Sequence, residues 1–221
     1  MTNDPAAQLT PGRAPGRDCP LCPRLLAFRA AQRLAHPDWF NAPVPAFGDP
    51  APALLIVGLA PGLRGANRTG RPFTGDFAGD LLYRTLAKSG FASGHYGAHA
   101  ADGLELRRAR ITNAVRCVPP QNKPEAAEIN ACRQFLAAEL AALPELTAIL
   151  ALGAIAHNAV LAAKGLRRAL YPFAHGAMHE LPDGTLLADS YHCSRLNTNT
   201  GRLTVAMFET VIAGIANRLA G

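Results

Sequence analysis

The chain has 221 residues, 49% of them hydrophobic and 17% charged, with a formal net charge of +6. That length builds one domain with a sizeable core and is short for two. No apolar stretch approaches the roughly 18 uninterrupted residues of a membrane span, which excludes a membrane partner and leads us to expect a cytoplasmic, monomeric protein. The positive charge suits an anionic partner such as nucleic acid. Of the 22 Lys and Arg residues only Lys88, Lys123 and Lys164 are lysine, a bias that serves bidentate phosphate contacts or reflects codon usage equally well.

Residues 1–17 are rich in Gly, Pro and Arg, have no apolar signal core, and read as a flexible tail, leaving 18–221 as a single domain. A helix is predicted over Pro23–Leu34 and a strand over Ala53–Gly58. The glycine-rich segment Gly58–Asp80 follows and runs into a helix at Gly79–Ser89. Next come a strand at Arg110–Val115, a helix at Pro124–Ala142 with Pro124 in its first turn, a strand at Thr147–Leu152 and a helix at Ala154–Lys164. A strand at Thr185–Ser190, the polar segment Tyr191–Leu203 and a helix at Leu203–Arg218 complete the chain. Strands alternating with helices predict an α/β fold, a three-layer α/β/α sandwich around a central, mainly parallel four-stranded sheet. Ligands of such sheets sit beyond the carboxyl ends of the strands. That rule brings Gly58, Asn113, Gly153 and the pair Tyr191–His192 to one edge.

Four cysteines have the count of a metal site: Cys19 and Cys22 in CPLC, and Cys117 and Cys132 in a C-x14-C. Structural zinc modules usually supply two short pairs and here only one is short, which tilts the reading toward a cluster held across the fold; buried free thiols remain an alternative. Cys193 is left over and reads as a small residue filling a tight loop.

The segment Gly58–Asp80 holds six glycines but has neither the ending of a phosphate-binding P-loop nor a dinucleotide fingerprint. Its density of donors and charge, from Arg64, Asn67, Arg68, Thr69, Arg71, Thr74 and Asp76, suits a loop that holds a base and its neighbouring phosphates. Asp76 is either a catalytic carboxylate or the N-cap of the helix that follows. Phe73 is either a stacking ring or a core residue. Asn113 presents an amide donor and acceptor, to a base edge or to a strand-to-loop turn. His192 is a donor at the site or a packed histidine.

The combination of GLAPG at Gly58, RTGRPFTGD, the four cysteines and the YHCSRLNTNTGRL segment resembles the family 5 (type b) uracil-DNA glycosylases, over nearly the whole chain from Cys19 onward. The resemblance implies an enzyme that flips out and hydrolytically excises uracil and other deaminated or modified bases from DNA. It implies a [4Fe-4S] cluster on Cys19, Cys22, Cys117 and Cys132, and a base pocket from Gly58, Ala60, Phe73, Asn113, His192 and Asn197. Asp76 would orient water and stabilise the sugar cation, Asn113 would read the base, and His192 would stabilise the departing base anion. Leu59 and Ala60 stand where related enzymes place the water-handling polar residue, and Leu59 replaces the Glu of the family 4 GEAPG, which disfavours that narrower enzyme. Arg64, Arg68, Arg71, Arg195 and Arg202, with Arg116 and Lys123, are expected on the DNA backbone, and Leu196 or Asn197 in the space the base vacates. The competing reading is a cluster-containing DNA-binding module that senses damage without cleaving.

Overall fold

The computed structural model describes residues 14–220. The first thirteen residues of the expected tail lie outside the described residues. From Gly16 onward the chain is attached to the domain: the Gly16 carbonyl accepts from the Cys19 N–H, and Asp18 pairs with Arg33 of the first helix, α1 (Pro23–Ala35).

The central sheet is built on β2 (Leu54–Gly58), β5 (Ala109–Asn113), β6 (Ala148–Leu152) and β8 (Leu186–Ser190), all paired in parallel in the order β5-β2-β6-β8. The expected four strands are therefore present, but the sheet has six. Antiparallel edges are added by β1 (Phe47–Gly48) on β5 and β7 (Met178–Glu180) on β8. Two or three residues are too few to show an alternating pattern, so these edges leave no signal in the sequence. A separate ribbon pairs β3 (Ala92–Ser93) with β4 (Glu105–Leu106).

The pleat divides each central strand between two cores. Leu54 and Ile56 face α3 (Phe77–Lys88) and α7 (Val205–Ala220), through Leu82, Leu86, Phe208 and Ile212. Leu55 and Val57 face α4 (Ala126–Ala141) and α5 (Ala154–Ala163), through Leu136, Ala156 and Val160. Both faces are covered, as a parallel sheet requires.

Three helix starts differ from expectation for identifiable reasons. Helix α3 begins at Phe77, not Gly79, because Asp76 caps it. Helix α4 begins at Ala126, two residues after Pro124, because Glu125 and Glu128 form a reciprocal capping box. Helix α7 begins at Val205 because the Thr204 hydroxyl accepts from the Met207 N–H. The short helices α2 (Ala66–Thr69) and α6 (Arg195–Asn199) were read as loop. Both lie at the sheet edge where the parallel strands end.

Candidate active site

Gly58 and Asn113 end adjacent parallel strands and pair in register. Asn113 is 2% exposed, and its Oδ1 is buried without a hydrogen-bond partner among the described residues. Gly58 makes that placement possible, because a β-carbon there would overlap both Asn113 Oδ1 and the tip of the Phe73 ring. The strand pairing thus sets an unsatisfied amide oxygen beside an aromatic ring at the floor of the site. An orphaned buried acceptor is costly in isolation and informative for that reason.

His192 follows β8, and its ring stacks on Phe73 with centroids 5.7 Å apart and an interplanar angle of 28°. Burial pushes the His192 pKa down to about 4, so the imidazole is neutral at pH 7. Gly153, at the end of β6 with φ +97°, leaves ordinary contact with the His192 β-carbon. The loop is closed from beneath by Asn197, whose Nδ2 donates to the His192 carbonyl at 2.8 Å. Its amide nitrogen thus holds the His192 turn in place. On the same turn Leu196 is 72% exposed. Cys193 is fully buried and its thiol is pushed up to about 12, as suits a space-filling residue with no free thiolate.

Asp76 takes one of the parts the sequence left open, and its second oxygen stays clear of it. It is the N-cap of α3, with Oδ1 accepting from the Gly79 N–H at 3.2 Å. Its Oδ2 faces the glycine loop, where β-carbons at Gly62 or Gly65 would crowd it. Burial raises its pKa above the usual aspartate value, against the opposing backbone donors of Gly79 and Ala78. Its charge also acts on Cys193, next to His192. The carboxylate, the imidazole, the amide and the ring are therefore gathered at one edge, while Ala60 lies between this edge and the cysteines, packed against the latter.

The arginines divide. Arg64, Arg68, Arg195 and Arg202 are exposed; Arg195 lies over the Phe77 ring at 5.3 Å and Arg202 over Tyr191 at 4.5 Å. Lys123 is also exposed. Arg71 is different: it is 4% exposed and forms a two-pronged pair with Asp102, at 2.8 and 2.7 Å. Arg116 is buried and pairs with Glu139, which also takes Arg110 and the Thr112 hydroxyl. Neither Arg71 nor Arg116 reaches a DNA backbone, which corrects the sequence reading of both. Their carboxylates, Asp102 and Glu139, lie 31 and 23 residues away along the chain.

The four cysteines line one pocket together with Leu25, Arg29, Val115 and Phe135. Among the described residues no three His, Cys, Asp or Glu side chains are arranged to hold a single metal ion. Arg29 was missed by the sequence reading. It is 1% exposed, with Nη1 donating to Cys117 Sγ at 3.0 Å, Nη2 donating to the Cys19 carbonyl and Nε unpartnered. A buried guanidinium with no carboxylate within ion-pair distance among the described residues asks for an anion, and the surrounding thiols supply one only when deprotonated. Burial pushes Cys22 up to about 11 and Cys117 to about 12, so in the bare protein these thiols keep their protons. The donor set fits a cationic, thiolate-binding group. The Arg24 guanidinium, paired with Glu128 at 2.7 Å, ties α1 to α4 and so fixes the two cysteine-bearing segments together.

Also absent from the sequence reading is a network under the His192 loop. His157 is buried, its Nδ1 2.7 Å from Asp189 and its Nε2 2.8 Å from the Tyr171 carbonyl. His175 accepts from the Tyr191 N–H at 3.2 Å and stacks on its ring. Together they anchor the 165–177 connection against β8, just before His192.

The uracil DNA glycosylase superfamily model matches residues 45–216. Similar proteins include a type-5 uracil-DNA glycosylase of Thermus thermophilus, 49% identical over 92% of this chain and 94% of the relative. One from Mycobacterium leprae is 44% identical over 92% of each chain, and one from Pyrobaculum aerophilum is 40% identical over 88% and 86%.

Proposed function

The chain belongs to the uracil DNA glycosylase superfamily, and on that premise we propose that it is a base excision repair enzyme that removes uracil from DNA by hydrolysing the N-glycosyl bond. The observation that carries the reading is the convergence, around Gly58, of the unpartnered Asn113 Oδ1, the Phe73 ring and the neutral His192. A module that only senses damage would need Asp76 for the helix cap alone, with no use for the second oxygen that faces the glycine loop.

The residues divide the reaction as follows. The flipped base stacks on Phe73, and Asn113 pairs with its edge. The C1′–N bond breaks with its electron pair leaving on the base, whose developing negative oxygen accepts from the neutral His192 N–H. Asp76 stabilises the positive sugar, and water adds to C1′ while its proton passes toward the carboxylate. The products are free base and an abasic site. Acceptance of other deaminated or modified bases belongs to the same proposal, with no acidic side chain at Leu59 or Ala60 of the first motif. Arg64, Arg68, Arg195 and Arg202 contact phosphates, and exposed Leu196 fills the vacated space. Action as a monomer in the cytoplasm is part of the same proposal. Among the described residues no helix is long and apolar enough to cross a membrane.

A [4Fe-4S] cluster on Cys19, Cys22, Cys117 and Cys132 completes the proposal, and when bound it supplies cross-linking of the N-terminal segment to the body of the domain. The common pocket and the unbalanced charge of Arg29 support it. The experiment that tests the activity is strand scission after alkali on oligonucleotides carrying one uracil: cleavage at that position is expected, and intact strands would overturn the proposal.

A further inference from the structure

Phe73 has φ +51°, left-handed for a residue with a β-carbon, so its surroundings must hold it there. Two tyrosine hydroxyls do so. Tyr96 donates to the Phe73 carbonyl at 3.2 Å and accepts from the Gly75 N–H at 3.3 Å, bridging the turn; Tyr83 donates to the Pro72 carbonyl at 2.6 Å. Both rings are in turn pinned by the Arg71 guanidinium, 5.5 Å from the Tyr83 centroid and 5.9 Å from that of Tyr96. Asp102 fixes the guanidinium and also accepts from the backbone of Gly97 and Leu104. Gly79 leaves the room for this contact, since a β-carbon there would overlap both the Phe73 carbonyl and the Tyr96 hydroxyl.

We propose that Tyr96 is a positioning residue for excision, its hydroxyl orienting the Phe73 ring that receives the extruded base. The inference rests on the reading that Phe73 stacks on that base. The Tyr96 hydroxyl hydrogen-bonds the peptide groups on both sides of Thr74, so these bonds act on the reaction through the backbone of Phe73. The test is a double-mutant cycle in single-turnover excision of uracil at saturating DNA, using Tyr96→Phe, which keeps the ring, and Phe73→Leu, which keeps the bulk and removes the aromatic face. Tyr96→Phe should slow the chemical step by about 10-fold, the scale of one hydrogen bond, with DNA affinity unchanged. In the Phe73→Leu background the same change should add no further slowing. Wild-type rates for Tyr96→Phe, or slowing that multiplies fully in the double variant, would overturn the proposal. Wild-type rates for Phe73→Leu would overturn the stacking reading itself, and this inference with it. Far-ultraviolet circular dichroism on all three variants establishes that the rates come from folded protein.

Discussion

Arg71 and Arg29 are both buried guanidiniums beside a functional region, yet they are neutralised in different ways. Arg71, under the glycine loop, meets a carboxylate with both Nη atoms, a hydroxyl with Nε, and three aromatic rings. Its charge is balanced within the protein. Arg29, in the cysteine pocket, meets a thiol sulfur and a peptide carbonyl and leaves Nε bare. The base site therefore balances its charge on protein groups alone, and the unpartnered Asn113 oxygen is an open valence that a base would fill for a moment. On the proposed reading, the cysteine region closes its charge around the cluster. Chemistry should fail first when the former is altered, and retention of the partner first when the latter is.

The largest effect should come from Asp76. Asp76→Asn keeps an N-cap acceptor and removes the negative charge, so single-turnover excision should slow about 100- to 1000-fold while DNA binding stays nearly intact. Near-wild-type excision would leave Asp76 as a helix cap only. His192→Ala should fall in the same range for uracil, which leaves as an anion through a carbonyl oxygen, and cost less for bases that can leave protonated.

Arg29→Met should act on the other side of the comparison. Replacing a group that balances the metal ligands typically costs about 10- to 100-fold in metal affinity. The purified wild type should be yellow-brown and contain iron and sulfide, whereas the variant should lose its visible absorbance faster under chelator. Stoichiometric zinc without iron would remove the cluster, and equal retention in the variant would remove the role of Arg29.

A smaller effect separates the two regions by pH. Because burial holds the His192 pKa near 4 instead of 6.5, the unfolded chain binds more protons than the native one between those values. This histidine therefore lowers stability as pH falls from about 6.5 to 4 and contributes no pH dependence above that window. The excision rate should show no inflection near 6.5, and its acid limb should belong to Asp76, whose carboxyl burial raises. Single-turnover rates from pH 4.5 to 8 check this; a drop centred on 6.5 would mean that His192 titrates like an exposed side chain.

The sequence showed the parallel strands and the gathering of Gly58, Asn113 and His192 because both follow from local pattern and one topological rule. It misjudged Arg71 and Arg116 because composition cannot tell an arginine that reaches solvent from one whose carboxylate lies far along the chain. Arg116 did leave a trace. Arg110 and Thr112 alternate with apolar residues in a fully buried strand, the spacing of polar groups that share one face, and such groups require a buried acceptor, here Glu139. Asn197 lies on a five-residue helix whose start is marked only by Ser194, and its inward hydrogen bond has no counterpart in sequence pattern.

The smallest effect concerns the exposed arginines. Arg64→Ala and Arg68→Ala each remove at most one phosphate contact, so each should lower the slope of log affinity against log salt by about 0.9, with little change in the excision rate at saturating DNA. Arg71→Ala should do the reverse. It leaves Asp102 with backbone donors alone, a loss of folding stability of up to about 3–5 kcal/mol, and should leave the salt slope of the folded fraction unchanged. Denaturant melts and binding titrations from 50 to 200 mM salt separate the two behaviours. A reduced salt slope in Arg71→Ala, without loss of stability, would mean that this guanidinium leaves Asp102 to meet DNA, and the contrast with Arg29 would no longer hold.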